Sequence, residues 1–124
     1  LLGVENFLQE LNHSKFKLAI GSSSKNAKDI LNYLNLSSYF DSIIDGNMVK
    51  KLKPSPDIFI KAAKNLELKP NHCIVFEDSL SGVKAAKDGG FKVIAVGNKE
   101  LLEKADFYID NFLDFKLDQY ATVS

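Results

Sequence analysis

What most limits the fold of this chain is a repeated change of hydrophobic period, between short continuous apolar runs and apolar stripes at helical spacing. Val4, Phe7, Leu8 and Leu11 follow the 3-4-7 rhythm of a helix buried on one face. Residues 17–21 (KLAIG) form a short apolar run ending in Gly and predict a buried strand. Helical spacing returns over 26–36 through Ile30, Leu31 and Leu34, and 41–45 (DSIID) reads as strand. A helix over 55–66 turns Ile58, Phe59, Ala62, Ala63 and Leu66 inward. Strand, helix and strand follow over 72–76, 80–87 and 91–96, then a weaker helix over 101–105 and a short strand over 107–109. Such alternation, with strands apolar along their whole length, predicts an α/β domain whose mostly parallel sheet is covered on both faces.

The 124 residues suit one domain or most of one, and at 45% apolar and 26% charged the composition is that of an ordinary globular protein. Sixteen basic and sixteen acidic residues cancel, so charge gives no argument for nucleic acid or an anionic membrane surface. A single cysteine, Cys73, leaves no internal disulfide framework and no cysteine-based zinc cluster. No apolar run approaches the roughly 18 residues a membrane span needs, and LLGVENF lacks a basic leader region. The expectation is a cytoplasmic domain. Because the chain starts inside an amphipathic pattern and without Met, it also reads as part of a longer protein.

A parallel open sheet places its ligand beyond the carboxyl ends of its strands, and there the polar residues gather. The first strand ends in Gly21-Ser22-Ser23-Ser24-Lys25-Asn26, where hydroxyls, an ammonium and helix N-terminal N–H groups form a candidate phosphate site. One serine would suffice as a helix cap; the whole string exceeds that need. Asp45-Gly46-Asn47 fits a turn. Lys50, Lys51 and Lys53 precede Pro54-Ser55-Pro56-Asp57, which fits a helix start. Taken alone these lysines suit a solvated face better than a site, and the Lys53–Pro54 bond is a candidate for cis. The third apolar strand ends in Glu77-Asp78-Ser79. Adjacent carboxylates there repel unless a cation or donors compensate, and a hard ion such as Mg²⁺ suits them. By itself, Asp78 or Ser79 is better read as the cap of the next helix. Gly82 inside the next helix implies close packing against a neighbour, since Gly costs about 1 kcal/mol relative to Ala in a helix. His13, His72 and Cys73 read as structural, and no serine has a partner base. Phosphate donors, a lysine and a carboxylate pair on separate strand ends make a plausible phosphoryl-transfer set.

The order AIGSSSKN, KLKPSPDIF, CIVFEDSLSGVKAAKDGG, KVIAVG resembles haloacid-dehalogenase-like hydrolases, most of all their β-phosphoglucomutase branch, over roughly residues 2–112. The resemblance implies a three-layer Rossmann-like core, with residues 1–124 supplying motifs II to IV. In it Ser22, assisted by the Ser23 N–H, would bind the transferring phosphoryl group, Lys53 would neutralise it, and Glu77 and Asp78 would help hold Mg²⁺. Ser24, Lys25 and Asn26 match positions that grip a second phosphate of a sugar phosphate substrate. The implied reaction is interconversion of β-glucose 1-phosphate and glucose 6-phosphate through an aspartyl-phosphate, or else hydrolysis of a sugar phosphate. Neither the family's motif I, an Asp-x-Asp at the end of a central strand, nor its helical cap is present in these residues. By themselves they are therefore expected to be inactive, a remnant or an assembly module. The slot between the strands ending at Ser22 and Glu77 is expected to close, to admit another segment, or to drive self-association.

Overall fold

The computed structural model describes residues 3–12, 16–22 and 25–113. Helices α1 (Val4–Asn12), α2 (Ala27–Tyr33), α3 (Asp57–Asn65) and α4 (Leu80–Asp88) alternate with strands β1 (Ala19–Gly21), β2 (Ser42–Ile44), β3 (Ile74–Glu77), β4 (Lys92–Val96) and β5 (Phe107–Ile109). Short 3-10 turns occupy Ser37–Tyr39, Pro70–His72 and Lys99–Leu101. Every ladder is parallel, as continuous apolar strands require: β1 pairs with β2, and β3-β4-β5 form a second sheet.

The slot does not close. Among the described residues no ladder joins β1 to β3. What unites the two sheets is side-chain burial. One cluster runs from Ile44 of β2 through Ile58, Phe59 and Ala62 of α3 to Val83 and Ala86 of α4 and Val93 and Ala95 of β4. Helix α3 packs on β1 and β2, α4 on β3 and β4, and the two helices touch. On the opposite face, Phe7 and Leu11 of α1 cover Ile94, Val96 and Phe112. Phe7 stacks on Phe112 at 5.0 Å and meets Phe76 edge-on at 5.6 Å. Successive β4 residues thus point into opposite cores, and Val93, Ile94, Ala95 and Val96 are all buried.

Several local expectations shift. The weak helix over 101–105 is instead the 3-10 turn Lys99–Leu101, one turn being all that Leu101 needs to reach the core. His72 ends a 3-10 turn begun by Pro70, so β3 starts two residues later than its apolar run suggested. Cys73, expected in the core, is half-buried; its thiol donates to the Lys69 carbonyl at 3.4 Å, and burial pushes its pKa up. The stop after α4 uses Gly90, whose φ of +88° lies in the left-handed region that favours glycine. His13 lies outside the described residues. None of the described helices is long and apolar enough to cross a membrane.

Asp106 fastens the start of β4 to the turn before β5. Its backbone N–H donates to the Val93 carbonyl at 3.0 Å, and its carboxylate accepts the Val93 N–H at 2.8 Å and pairs with Lys87 at 2.8 Å. Partial burial would raise its pKa, but the Lys87 ammonium and the Val93 N–H outweigh it and hold the carboxyl below its ordinary value. A depressed folded-state pKa means this contribution is present above the ordinary Asp value of about 3.9 and disappears as pH falls through the lowered one. Asp106→Asn should therefore lower unfolding stability by about 1 kcal/mol at pH 7, with the gap to wild type narrowing below about pH 3. Denaturant midpoints at both pH values check this, and a gap that widens on acidification contradicts it.

Candidate active site

Because all ladders are parallel, the carboxyl ends of β1 to β4 share one orientation within their sheets, and the polar segments emerge there. Ser22 follows β1 directly and its N–H donates to the Ile44 carbonyl at 2.9 Å, extending the pairing with β2 by one step. Beyond β2, buried Asp45 accepts the Asn47 N–H at 2.9 Å, and the Asn47 side-chain amide donates to the Lys25 carbonyl at 3.3 Å. Lys25 and Asn26 are exposed. Ser23 and Ser24 lie outside the described residues.

The segment leading into α3 delivers Lys53. Pro56 occupies the N-cap position, Ser55 Oγ accepts the Asp57 N–H at 3.3 Å, and the Lys53–Pro54 peptide bond is cis. Lys50 and Lys51 stay exposed, as a solvated face would, but Lys53 turns inward. Its Nζ lies 2.9 Å from Glu77 Oε2, the two side chains being 14% and 9% exposed, and 4.8 Å from the centre of the Phe59 ring. Phe59 also abuts the end of β1: a Cβ placed on Gly21 would sit 3.2 Å from its Cδ1. The Phe59 ring therefore lies both against the end of β1 and beneath the Lys53 ammonium.

A partly buried ion pair is stable only where further hydrogen bonds satisfy its remaining lone pairs, and Glu77 meets that condition. Its Oε1 accepts the Asp78 N–H at 3.0 Å, the Ser79 N–H at 3.2 Å and the Ser79 hydroxyl at 3.0 Å. Ser79 Oγ in turn accepts the Gly82 N–H at 3.1 Å and so caps α4. Burial alone would raise the Glu77 pKa; the Lys53 hydrogen bond and charge, with the N–H donors, hold it below the usual carboxylate value. Asp78 goes the other way, raised by burial and by the Glu77 carboxylate beside it. The strand end thus carries one firmly ionised, fully engaged carboxylate and one exposed carboxylate next to it.

That donor set fits a hard divalent ion held by few protein oxygens and completed by water and phosphate, as Mg²⁺ prefers. Asp78 is the carboxylate that would be open to direct ligation, whereas both oxygens of Glu77 already serve Lys53 and the α4 cap. Among the described residues no group of three or more His, Cys, Asp or Glu forms a closed metal cage. Of the residues expected from the sequence, Lys53, Glu77 and Asp78 come together; Ser22 directly follows Gly21, against which the Phe59 ring lies, and Lys25 and Asn26 are exposed, the Lys25 carbonyl accepting from Asn47. Phe59 and Ser79 take part in ways the sequence did not indicate. Helical periodicity turned Phe59 inward but gave no sign that its ring would lie beneath an ammonium, and Ser79 was legible only as a cap.

A family model of haloacid dehalogenase-like hydrolases matches residues 1–96. The chain is 34% identical over 118 residues to β-phosphoglucomutase of Bacillus subtilis, an alignment covering 95% of this chain and 52% of that protein. It is 35% identical over 86 residues to the fructose-1-phosphate phosphatase YqaB of Escherichia coli, covering 68% of this chain and 46% of that one. The crystal structure of β-phosphoglucomutase from Clostridium difficile superposes with a TM-score of 0.87 at 36% identity, over 94% of this chain and 52% of that chain. The chain spans about half the length of these relatives.

Gly82 exposes how tightly the carboxylate is held. A Cβ there would overlap Glu77 Cδ and Oε2, so the Glu77 side chain would have to shift, disturbing its bonds to Lys53 and Ser79. Gly82→Ala should therefore lower stability by about 1–3 kcal/mol, although helix propensity alone predicts a gain of about 1 kcal/mol. Thermal or denaturant unfolding checks the sign; a variant as stable as wild type would show that the carboxylate relocates freely.

Proposed function

The chain belongs to the haloacid dehalogenase-like hydrolase family, in its β-phosphoglucomutase-like branch, and on that premise we propose that residues 1–124 are the motif II to IV portion of a cytoplasmic, Mg²⁺-dependent enzyme that moves a phosphoryl group on a sugar phosphate. The observation that carries this reading is the 2.9 Å Lys53–Glu77 pair beside exposed Asp78. In the proposed reaction an aspartate outside this chain attacks phosphorus. The phosphoryl group it already carries has first passed to O6 of β-glucose 1-phosphate; the attack falls on the phosphate at C1 of the resulting bisphosphate, and the bond from that phosphorus to O1 breaks, which recharges the aspartate and frees glucose 6-phosphate. Overall, β-glucose 1-phosphate becomes glucose 6-phosphate. The Ser22 hydroxyl and Ser23 N–H hold the moving group, Lys53 offsets the charge on its oxygens, and Ser24, Lys25 and Asn26 take the sugar's other phosphate. Asp78, with Glu77 behind it, would hold Mg²⁺, which supplies further charge neutralisation at phosphorus.

Hydrolysis is the second reading, favoured by the likeness to a fructose-1-phosphate phosphatase; water then takes the phosphoryl group from the aspartate. Assay of the intact protein with β-glucose 1-phosphate separates the two, since free phosphate without isomerised sugar would defeat the mutase. In that protein Lys53→Ala should lower kcat at least about 100-fold, and Asp78→Asn should raise the Mg²⁺ concentration for half-maximal rate at least about tenfold. Wild-type rates in both variants would overturn the assignment.

Residues 1–124 by themselves form the third reading, an inactive assembly module. Among the described residues β1 and β3 each pair along one edge only, and unpaired edges invite further strands. Light scattering should then show mass rising with concentration; a clean monomer throughout contradicts self-association.

A further inference from the structure

We propose that Phe59 is a positioning residue whose ring face fixes the Lys53 ammonium for phosphoryl transfer; its kinetic consequence rests on the activity proposed above. A lysine carries a compact charge on a flexible stem, and a single ion pair fixes a distance but not a direction of approach. Here the ammonium has two anchors, Glu77 Oε2 at 2.9 Å and the Phe59 ring centre at 4.8 Å. The ring is itself packed on several sides. It is buried on α3, lies against the end of β1 where Gly21 has no Cβ, and meets Phe91 edge-on at 6.1 Å and 66°. The two anchors differ in kind. A carboxylate takes up one of the three N–H donors of the ammonium, while a ring face attracts the charge through its quadrupole and need not occupy a donor. Held this way, Lys53 keeps donors for an incoming oxyanion, at a position set relative to the end of β1 that the same ring touches.

Replacing Phe59 in the intact protein by phenylalanines with progressively more ring fluorines drains the negative ring face while nearly keeping its shape. Turnover with β-glucose 1-phosphate should fall stepwise, to about one tenth for the most fluorinated ring, with KM changing less than about twofold. In a Lys53→Ala background the series should be flat. A flat series in the wild-type background, or equal losses in both backgrounds, overturns the proposal. A second measurement needs no turnover. The Lys53 Cε protons should show an upfield ring-current shift in the unsubstituted protein that Phe59→Leu abolishes; their absence from the shifted region overturns it. A protein that transfers no phosphoryl group defeats the activity reading and leaves this shift to decide the position of Lys53.

Discussion

The Lys53–Glu77 ion pair is the constraint on which the candidate site depends. It joins the loop before α3, which covers one sheet, to the end of β3 in the other. Two charges so little exposed lose most of their hydration, and a pair of this kind tends to cost more than its attraction returns unless further donors complete it. Here they do: three hydrogen bonds to Glu77 Oε1 and the Phe59 ring beneath Lys53 complete the arrangement. An apolar pair of similar volume would fill the space more simply. That a charged pair stands there is consistent with a site that must present a cation to an anionic ligand.

The same economy explains the immediate neighbourhood. Gly82 leaves room for the Glu77 carboxylate, Ser79 both caps α4 and donates to that carboxylate, and Gly21 lets the Phe59 ring lie against β1. Each residue satisfies a local backbone requirement and a requirement of the rim together. Replacement at any of them reaches the ion pair. The two sheets, by contrast, share no ladder among the described residues and are joined by the core under α3 and α4. The rim is therefore held by side-chain packing and one ion pair rather than by a continuous run of strand hydrogen bonds.

Much of this was legible in the sequence. Period changes gave the order of the main elements, and continuous apolar runs such as 91–96 gave parallel, doubly covered strands, because residues buried on both faces leave no polar alternation. Gly82 announced close packing by its poor helix propensity. The role of Lys53 was not legible from residue types, since Lys50, Lys51 and Lys53 look alike until the chain turns one of them onto Phe59. Nor was the division of labour between Glu77 and Asp78. Adjacent carboxylates read as an equivalent pair, and only the donors converging on Glu77 distinguish them. The 3-10 turn at Lys99–Leu101 resembles a helix in the sequence because one turn and the start of a helix show the same apolar spacing.

The central claim is that Ser22, Lys53 and Asp78 surround one phosphorus centre. A crystal structure of the intact protein with Mg²⁺ and orthovanadate tests it most directly. The account predicts vanadate oxygens within hydrogen-bond distance of Ser22 Oγ and Lys53 Nζ, with the metal on Asp78. Vanadate bound elsewhere, with Lys53 still closed on Glu77 and no metal at Asp78, would contradict it.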